Sequence, residues 1–369
     1  MTKKIDQGLL YQTQISLSEW FEGIGHQKSA ELRLEDNEKR ERLKKLNELM
    51  GLPFDKPTKF LATDISEQTE ILKDFLKSHS SELCALRLIP IDPKLPKLRI
   101  RGQTILNSLN WFKEQKIDPQ KYRAEFIPHP ETQLWATTFV VNNNGIFGEI
   151  TRGGHFQLTQ GFYDEGEPIA FAFNFKKWSL SISNKMAEKT IKEIVSLLKV
   201  SNKKLRQQLK RELGAEFSHD FLEGYFEATT SAEFGLWFID YNQILGKIYQ
   251  DFSLIKPKRP KQKRLQGLSA CLGKVQGRAF VVTDQKLDQA ILGDNDILVC
   301  PMTTPVHLPL IKKAAAVVTD FGGILSHAAI ICRELGKPCI TNTKVSTKSI
   351  HTGDLIEVDA GSGIISIIA

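Results

Sequence analysis

The chain has 369 residues, of which 41% are hydrophobic and 25% charged, and this composition is typical of a soluble globular protein with room for two or three domains. No apolar run approaches the ~18 residues that cross a membrane, and the polar start MTKKIDQG does not resemble a signal peptide, so we expect a cytoplasmic protein without a membrane partner. The net charge of +7 lies mainly in basic runs without interleaved aromatic residues, which favours a polyphosphate substrate over nucleic acid.

The cysteine pattern gives no sign of a metal site. No CxxC pair occurs, and the spacing of the cysteines is unlike that of metal ligands. We expect reduced and mostly buried thiols at Cys84, Cys271, Cys300, Cys332 and Cys339.

Residues 1–56 are predicted to form a helical N-terminal segment. The run ELRLEDNEKRERLKKLNELMG carries leucines at Leu43, Leu46 and Leu49 among many charges. We expect its charged side to be a solvated helix face with i,i+4 ion pairs.

Residues 57–255 are predicted to form a second, mixed α/β unit. Residues 84–89 are typical of a strand, and a proline-containing loop then returns the chain through Leu98 and Ile100 to Gly102. Further strands are expected around the Asn-Asn-Asn-Gly turn at 142–145, and one or two helices over residues 185–214.

Residues 256–267, KPKRPKQKRLQG, are predicted to be a linker, because they are basic, punctuated by proline and nearly free of large apolar residues. After this linker, residues 268–369 alternate short apolar runs with helical segments, which indicates a compact α/β domain.

The most informative stretch is residues 319–336, TDFGGILSHAAIICRELG. A Gly-Gly pair is followed by Ser326, which is suited to cap a helix, and then by His327 at the helix start. The free amides and dipole of a helix N-terminus favour negative charge, as a phosphorylated histidine requires. The alternative for a single histidine is a helix-start residue that only bonds its neighbours.

The run VTDFGGILSHAAIICRELGKPCI resembles the swivelling phosphohistidine domain of phosphoenolpyruvate synthase, pyruvate phosphate dikinase and rifampicin phosphotransferase. The resemblance implies a β/β/α phosphohistidine domain over 268–369, with His327 as a tele-phosphohistidine intermediate. It also implies that the phosphate is bound by Thr319, Gly322, Gly323, Ser326 and Arg333.

The upstream part resembles a reduced ATP-grasp domain of the same family, so the expected fold class is α/β (α+β) with an ATP-grasp-like domain before the swivelling domain. ALRLIPIDPKLPKLRIRGQ matches the nucleotide-binding segment, with Leu88-Ile89 in place of a Ser-Ser pair. By this resemblance the nucleotide contacts are Arg87, Gln103, Arg123 and Glu149.

The expected cofactors are ATP and Mg²⁺, but the family's magnesium segment is altered here. Matching Trp237 to the family's tryptophan places Leu236 at the metal-ligand position, whereas taking Glu233 as the ligand shifts the register by three residues. Glu149 is the other candidate metal ligand.

Three functions remain open at this point. The first is an ATP-dependent phosphotransferase acting on a small molecule or with a partner protein that carries the acceptor site. The second is a phosphocarrier or regulatory protein that is phosphorylated at His327 by another enzyme, with an ATP-grasp domain that binds but does not turn over nucleotide. The third is a binding protein that keeps the fold without catalysis, and the intact motif around His327 argues against it.

Overall fold

The computed structural model describes residues 17–160, 163, 166–252, 264–283 and 291–368. Its helices are α1 (Leu17–Gly23), α2 (Ser29–Met50), α3 (Ala62–Glu67), α4 (Glu70–His79), α5 (Ile105–Glu114), α6 (Phe156–Gln160), α7 (Lys185–Ser196), α8 (Lys203–Leu213), α9 (Gln243–Ile248), α10 (Leu308–Lys313), α11 (His327–Glu334) and α12 (Ser346–Ser349). Short 3₁₀ turns occur at Pro119–Lys121 and Pro305–His307.

The strands up to the predicted linker are β1 (Thr58–Leu61), β2 (Leu83–Pro90), β3 (Leu98–Thr104), β4 (Tyr122–Pro128), β5 (Gln133–Asn142), β6 (Gly145–Arg152), β7 (Ile169–Phe173), β8 (Trp178–Leu180), β9 (Phe217–Ser218), β10 (Phe221–Leu222), β11 (Gly224–Ser231) and β12 (Gly235–Asn242). The later strands are β13 (Leu265–Gln266), β14 (Leu268–Cys271), β15 (Lys274–Val281), β16 (Ile297–Cys300), β17 (Ala316–Thr319), β18 (Cys339–Thr341), β19 (Leu355–Asp359) and β20 (Ile364–Ile367). The predicted mixed α/β fold class is confirmed.

Two large antiparallel sheets build most of the upstream part, beside a small sheet of β9 and β10. The first has four strands in the order β1-β4-β2-β3, and the helices α4 and α5 bury Leu72 and Leu109 in its core. The second has six strands in the order β12-β11-β5-β6-β7-β8, and α7 covers it through Ile191 and Ile194. The predicted strand at 84–89 and the predicted hairpin at 142–145 are both present, as β2 and as the β5–β6 turn.

Helix α2 is less solvated than its charge predicts. Leu43 and Leu46 are fully buried, as a helix facing a core requires, but Lys39 and Arg40 are also buried, at 7% and 3% exposure. Their partners are acidic residues of other segments, since Lys39 contacts Asp240 at 3.2 Å and Arg40 pairs with Asp55. The prediction of a solvated charged face is therefore wrong for these two residues. The pattern of charge along the helix does not show that acidic side chains of other segments lie opposite.

The C-terminal domain contains a mixed sheet of eight strands in the order β13-β20-β19-β15-β16-β17-β18-β14. Its strands β15 to β18 are parallel neighbours. β13 pairs with β20, so Leu265 and Gln266 belong to this sheet although they fall within the predicted linker. Residues 256–263 of that linker lie outside the described residues.

The C-terminal domain lies against the upstream part through a shared apolar core. Trp20 and Phe21 of α1, together with Tyr249 and Phe252, belong to one buried cluster with Ile324 and Ile331 of the C-terminal domain. With this packing, the start of α11 faces the upstream sheets. Among the described residues, no helix is both long and apolar enough to cross a membrane.

Candidate phosphotransfer site

The loop before α11 is ordered by its own hydrogen bonds. Ser326 caps the helix as predicted: its hydroxyl accepts a hydrogen bond from the Ala329 amide at 3.4 Å and donates one to the Gly323 carbonyl at 2.9 Å. Thr319 is fully buried and donates to the Phe321 carbonyl at 2.6 Å. Gly322 has φ +112°, a conformation that favours glycine. These residues shape the loop that carries His327.

The imidazole of His327 is half-buried and faces a cavity between the two upstream sheets. Trp20 packs against it edge-to-face, with 5.7 Å between the ring centroids. Burial lowers the pKa of His327 to about 4, and the neighbouring Arg99 and His155 act in the same direction whereas Glu227 opposes them. The ring is consequently neutral at pH 7, with a lone pair on one nitrogen.

The cavity that His327 faces, called here the central cavity, is rich in buried charge. Basic side chains come from α2 and from the strands β2 and β3, and acidic side chains come from α2, β11, β12 and the segment after α2. Its charged lining residues are Asp36, Lys39, Arg40, Asp55, Arg87, Arg99, Arg101, Glu227 and Asp240, with the histidines His129, His155 and His327. Apolar lining residues include Ala85, Ile127, Phe156, Trp237 and Ile239.

Of the predicted nucleotide contacts, Arg87 is the one that lines the central cavity together with His327. It lies on β2 with 8% exposure, and burial lowers its pKa to about 10. Its Nε atom has no hydrogen-bond partner among the described residues. A buried guanidinium with an unsatisfied donor at a cavity wall is suited to an anionic ligand.

Most acidic groups of the central cavity already have basic partners. His155 Nε2 lies 3.2 Å from Glu227, whose carboxylate also accepts a hydrogen bond from Tyr225 at 2.8 Å. Burial alone would raise the pKa of Glu227, but His155 and this hydrogen bond hold it below its ordinary value. Asp240 pairs with Lys39 through one oxygen, and its Oδ1 atom has no partner among the described residues.

The other predicted site residues lie outside the lining of the central cavity. Gln103 is half-buried on β3 opposite Cys84, Arg123 is exposed on β4, and Glu233 is exposed and accepts a hydrogen bond from the Thr132 amide. Arg333 faces the upstream part, where its guanidinium lies over the Tyr249 and Phe252 rings and donates to the Ala270 carbonyl at 2.6 Å. None of these four contacts the cavity in this conformation of the chain.

Glu149 lies closer to the loop than to the cavity. Its carboxylate is 2% exposed and accepts hydrogen bonds from the Ile324 and Leu325 amides. Among the described residues, no group of three or more histidine, cysteine, aspartate or glutamate side chains could hold a metal by itself.

Sequence reasoning missed the acidic residues that do face the cavity. Glu227 and Asp240 lie on the neighbouring strands β11 and β12, whereas the predicted metal ligands were Glu149 and Glu233. The alternation along the two strands was an available signal, but a register shift between Glu227 and Ala228 interrupts it.

Comparisons with known proteins find relatives of this chain. The family described as "PEP-utilising enzyme, mobile domain" matches residues 292–363, which include His327 and its loop. The uncharacterised phosphotransferase YvkC of Bacillus subtilis is 37% identical over 127 residues, or 34% of this chain and 14% of that protein. Phosphoenolpyruvate synthase of Pyrococcus furiosus is 46% identical over 102 residues, or 27% of this chain and 12% of the synthase.

A longer match covers much of the upstream part as well. A probable phosphoenolpyruvate synthase of Methanothermobacter thermautotrophicus is 24% identical over 260 residues, which is 68% of this chain and 36% of that protein. This alignment is longer than the C-terminal domain, so the similarity extends into the upstream part. The chain nevertheless spans little more than a third of this relative, and far less of the other two.

Proposed function

We propose that this chain, whose C-terminal domain is a PEP-utilising enzyme mobile domain, is an ATP-dependent phosphotransferase that works through a phosphohistidine at His327. The observation that carries the proposal is that His327 and Arg87 line one cavity, although they lie far apart in the sequence and in different domains. The cavity collects buried cations around a neutral imidazole, which is the arrangement that phosphoryl transfer asks of a protein.

In the proposed first step, a neutral ring nitrogen of His327, Nε2 for a tele adduct, attacks a phosphorus atom of the bound nucleotide. A nitrogen–phosphorus bond forms while the phosphorus–oxygen bond to the leaving phosphate breaks, and the leaving oxygen keeps the electron pair. Arg87, Arg99 and Arg101 bind phosphate oxygens and offset their charge. The low pKa of His327 keeps its nitrogen available at neutral pH.

Magnesium fits this cavity as a partner of the nucleotide. Mg²⁺ is usually held by one or two carboxylates together with phosphate oxygens. Asp240, which has an unpartnered oxygen, and Glu227 are the carboxylates of this chain that would hold it. When bound, the ion neutralises charge on the phosphates.

The acceptor of the phosphoryl group is a small molecule or a partner protein. Because the chain spans only part of its relatives, their acceptors do not transfer to it. A second candidate function is that of a phosphocarrier whose His327 is phosphorylated by another enzyme. The ion pairs Glu227–His155 and Asp240–Lys39 favour this alternative, since they offset the charge of the carboxylates without a metal ion.

The test is to incubate the purified chain with ATP labelled at either the β or the γ phosphorus and to measure acid-labile, base-stable protein label. We expect label that disappears in His327→Ala. Label from the β position indicates dikinase chemistry, and label from the γ position alone indicates a simpler kinase. Label that appears only after addition of cell extract supports the phosphocarrier instead, and label retained in His327→Ala contradicts both functions.

A further inference from the structure

Glu149 makes an unusual contact across the boundary between the two parts of the chain. It lies in the middle of β6, within the six-stranded upstream sheet, yet its carboxylate accepts hydrogen bonds from the Ile324 and Leu325 amides of the C-terminal domain. These amides belong to residues 322–325, called here the His327 loop. The carboxylate therefore holds the segment that immediately precedes Ser326 and His327.

Gly323 fits this contact by its size. A Cβ atom at position 323 would lie 1.8 Å from Glu149 Oε2 and within 2.5 Å of the other two carboxyl atoms. Gly323 does not have the left-handed backbone conformation that distinguishes Gly322, so its backbone does not require glycine. The absence of a side chain at position 323 instead lets the carboxylate reach the amides.

The contact is polar and buried, and it has no cation. Glu149 forms no ion pair with any described residue, and burial raises its pKa to about 7 against the effect of the two amides. A buried carboxylate that depends on two backbone amides is costly to keep unless the amides stay in place. If the two domains separate, water can satisfy both the carboxylate and the amides, so breaking this contact leaves neither group unsatisfied.

Other contacts support the same loop and helix, and one of them is a hydrogen bond between the Gly322 backbone and the Tyr163 side chain. The Tyr249 hydroxyl donates to the Ile324 carbonyl at 2.9 Å, and His26 of the N-terminal segment lies 2.7 Å from Glu334 at the far end of α11. Glu149 differs from these contacts because its one carboxylate accepts from two loop amides, those of Ile324 and Leu325.

We propose that Glu149 is a positioning residue that docks the His327 loop on the upstream sheet and thereby sets His327 at the central cavity. The proposal rests on the proposed function only in that His327 is the group being positioned. Glu149 itself does not line the cavity. Its loss should therefore slow phosphorylation of His327 without weakening the binding of the nucleotide.

Docking can be measured without any chemistry at His327. All five cysteines of the chain are buried, so spin labels can be directed to cysteines introduced at the exposed positions Glu131 and Asp294, one in each part. In the otherwise unchanged full chain we expect one narrow distance distribution. Glu149→Ala should add a second, broader population of distances. Glu149→Gln should keep the narrow distribution, because its amide oxygen can still accept hydrogen bonds from the loop amides. The exposed control Glu193→Ala should leave the distribution unchanged.

The Gly323 contact supplies a matched second test. Gly323→Ala should also undock the loop, because its methyl group collides with the Glu149 carboxylate. In the Glu149→Ala background the collision is gone, so Gly323→Ala should add no further undocking, which is the non-additivity expected of two residues in contact. In the Glu149→Gln background the collision persists, and Gly323→Ala should remain harmful.

Nucleotide kinetics complete the test. We expect a rate of His327 labelling roughly ten-fold to a hundred-fold lower in Glu149→Ala, as for a misplaced reacting group, with an unchanged KM for ATP.

A single narrow distance in Glu149→Ala, or a Gly323→Ala effect that is equal in all three backgrounds, would overturn the positioning role. If the chain takes no label from ATP at all, the distance measurements still decide the role of Glu149, so failure of the proposed function is recognised separately. Thermal unfolding identifies a variant that fails to fold. If Glu149→Ala does not fold, the effect of Gly323→Ala in the Glu149→Gln background is compared with its effect in the unchanged chain.

Discussion

The histidine and the cavity that it faces are built from the chain in contrasting ways. His327, its capping serine and its glycine loop are neighbours in the sequence, and local hydrogen bonds fix their geometry. The charged lining of the central cavity instead comes from segments spread between α2 and β12, held together by two sheets. The geometry of the reactive group therefore depends on one short segment, whereas the geometry of the cavity depends on contacts between distant segments.

This difference predicts that substitutions fall into two classes with different effects. A change in the central cavity should impair the use of ATP but leave the His327 loop intact as a phosphoryl carrier. A change in the contacts between the two parts should impair the meeting of the two sites and leave each one unchanged. The variants below test this division, from the largest expected effect to the smallest.

The largest effect is expected from Arg87→Met. The substitution removes a buried guanidinium whose Nε is unsatisfied and keeps most of the volume of the side chain. Loss of one charge-stabilising donor in a preorganised site typically costs about 10²–10³ in rate. We expect a loss of that order in His327 labelling by ATP.

The matched control for Arg87→Met is Arg123→Met. Arg123 is a predicted nucleotide contact on the neighbouring strand β4, but it is exposed and does not line the central cavity. We expect its labelling rate to stay within about two-fold of the unchanged chain, as for a surface charge. Equal losses in both variants would mean that the nucleotide does not bind where His327 faces the cavity.

A smaller effect is expected from Asp240→Asn. If Asp240 helps to hold Mg²⁺ beside the nucleotide, the Mg²⁺ concentration required for half-maximal labelling should rise roughly ten-fold, as is usual when a group that supports a metal site is lost. Glu233→Gln is the control, because Glu233 is exposed in the β11–β12 turn. A shift in Glu233→Gln without one in Asp240→Asn would restore the ligand position suggested by the sequence.

The same contrast explains what the sequence could predict. Helix α11, its cap at Ser326 and the placement of His327 follow from contiguous residues, so a local pattern was sufficient. Arg87 was also predicted as a nucleotide contact, because its strand carries a recognisable segment, and it lines the central cavity. Lys39 was expected in solvent, and Glu227 was not considered, because each owes its position to pairing with a distant strand.

Arg333 shows a further limit of local reasoning. It lies in the last turn of α11, where a phosphate contact was expected from the motif. In the docked arrangement its side chain instead lies 4.7 Å and 4.3 Å from the Tyr249 and Phe252 ring centroids. The motif shows that an arginine belongs at this position, but only the packing of the other domain determines the direction of its side chain.

The smallest expected effect is a change in how stability depends on pH, and it tests whether His327 is docked in solution. The pKa of His327 is about 4 in the folded chain and near its ordinary value of 6.5 when unfolded. Between these values the unfolded chain binds a proton that the folded chain does not, so this contribution to stability is complete above pH 6.5 and is lost as the pH falls toward 4.

His327→Gln lacks this titration but keeps a polar side chain of similar size. On lowering the pH from 7 to 5, we expect the unchanged chain to lose on the order of 1 kcal/mol more unfolding free energy than His327→Gln, measured by urea denaturation. Other buried groups that titrate in this range, such as Asp55 with a pKa raised to about 6 by burial, are present in both proteins and cancel in the difference. An equal pH dependence in the two proteins would place the imidazole in water, because only contact with the upstream part removes it from solvent.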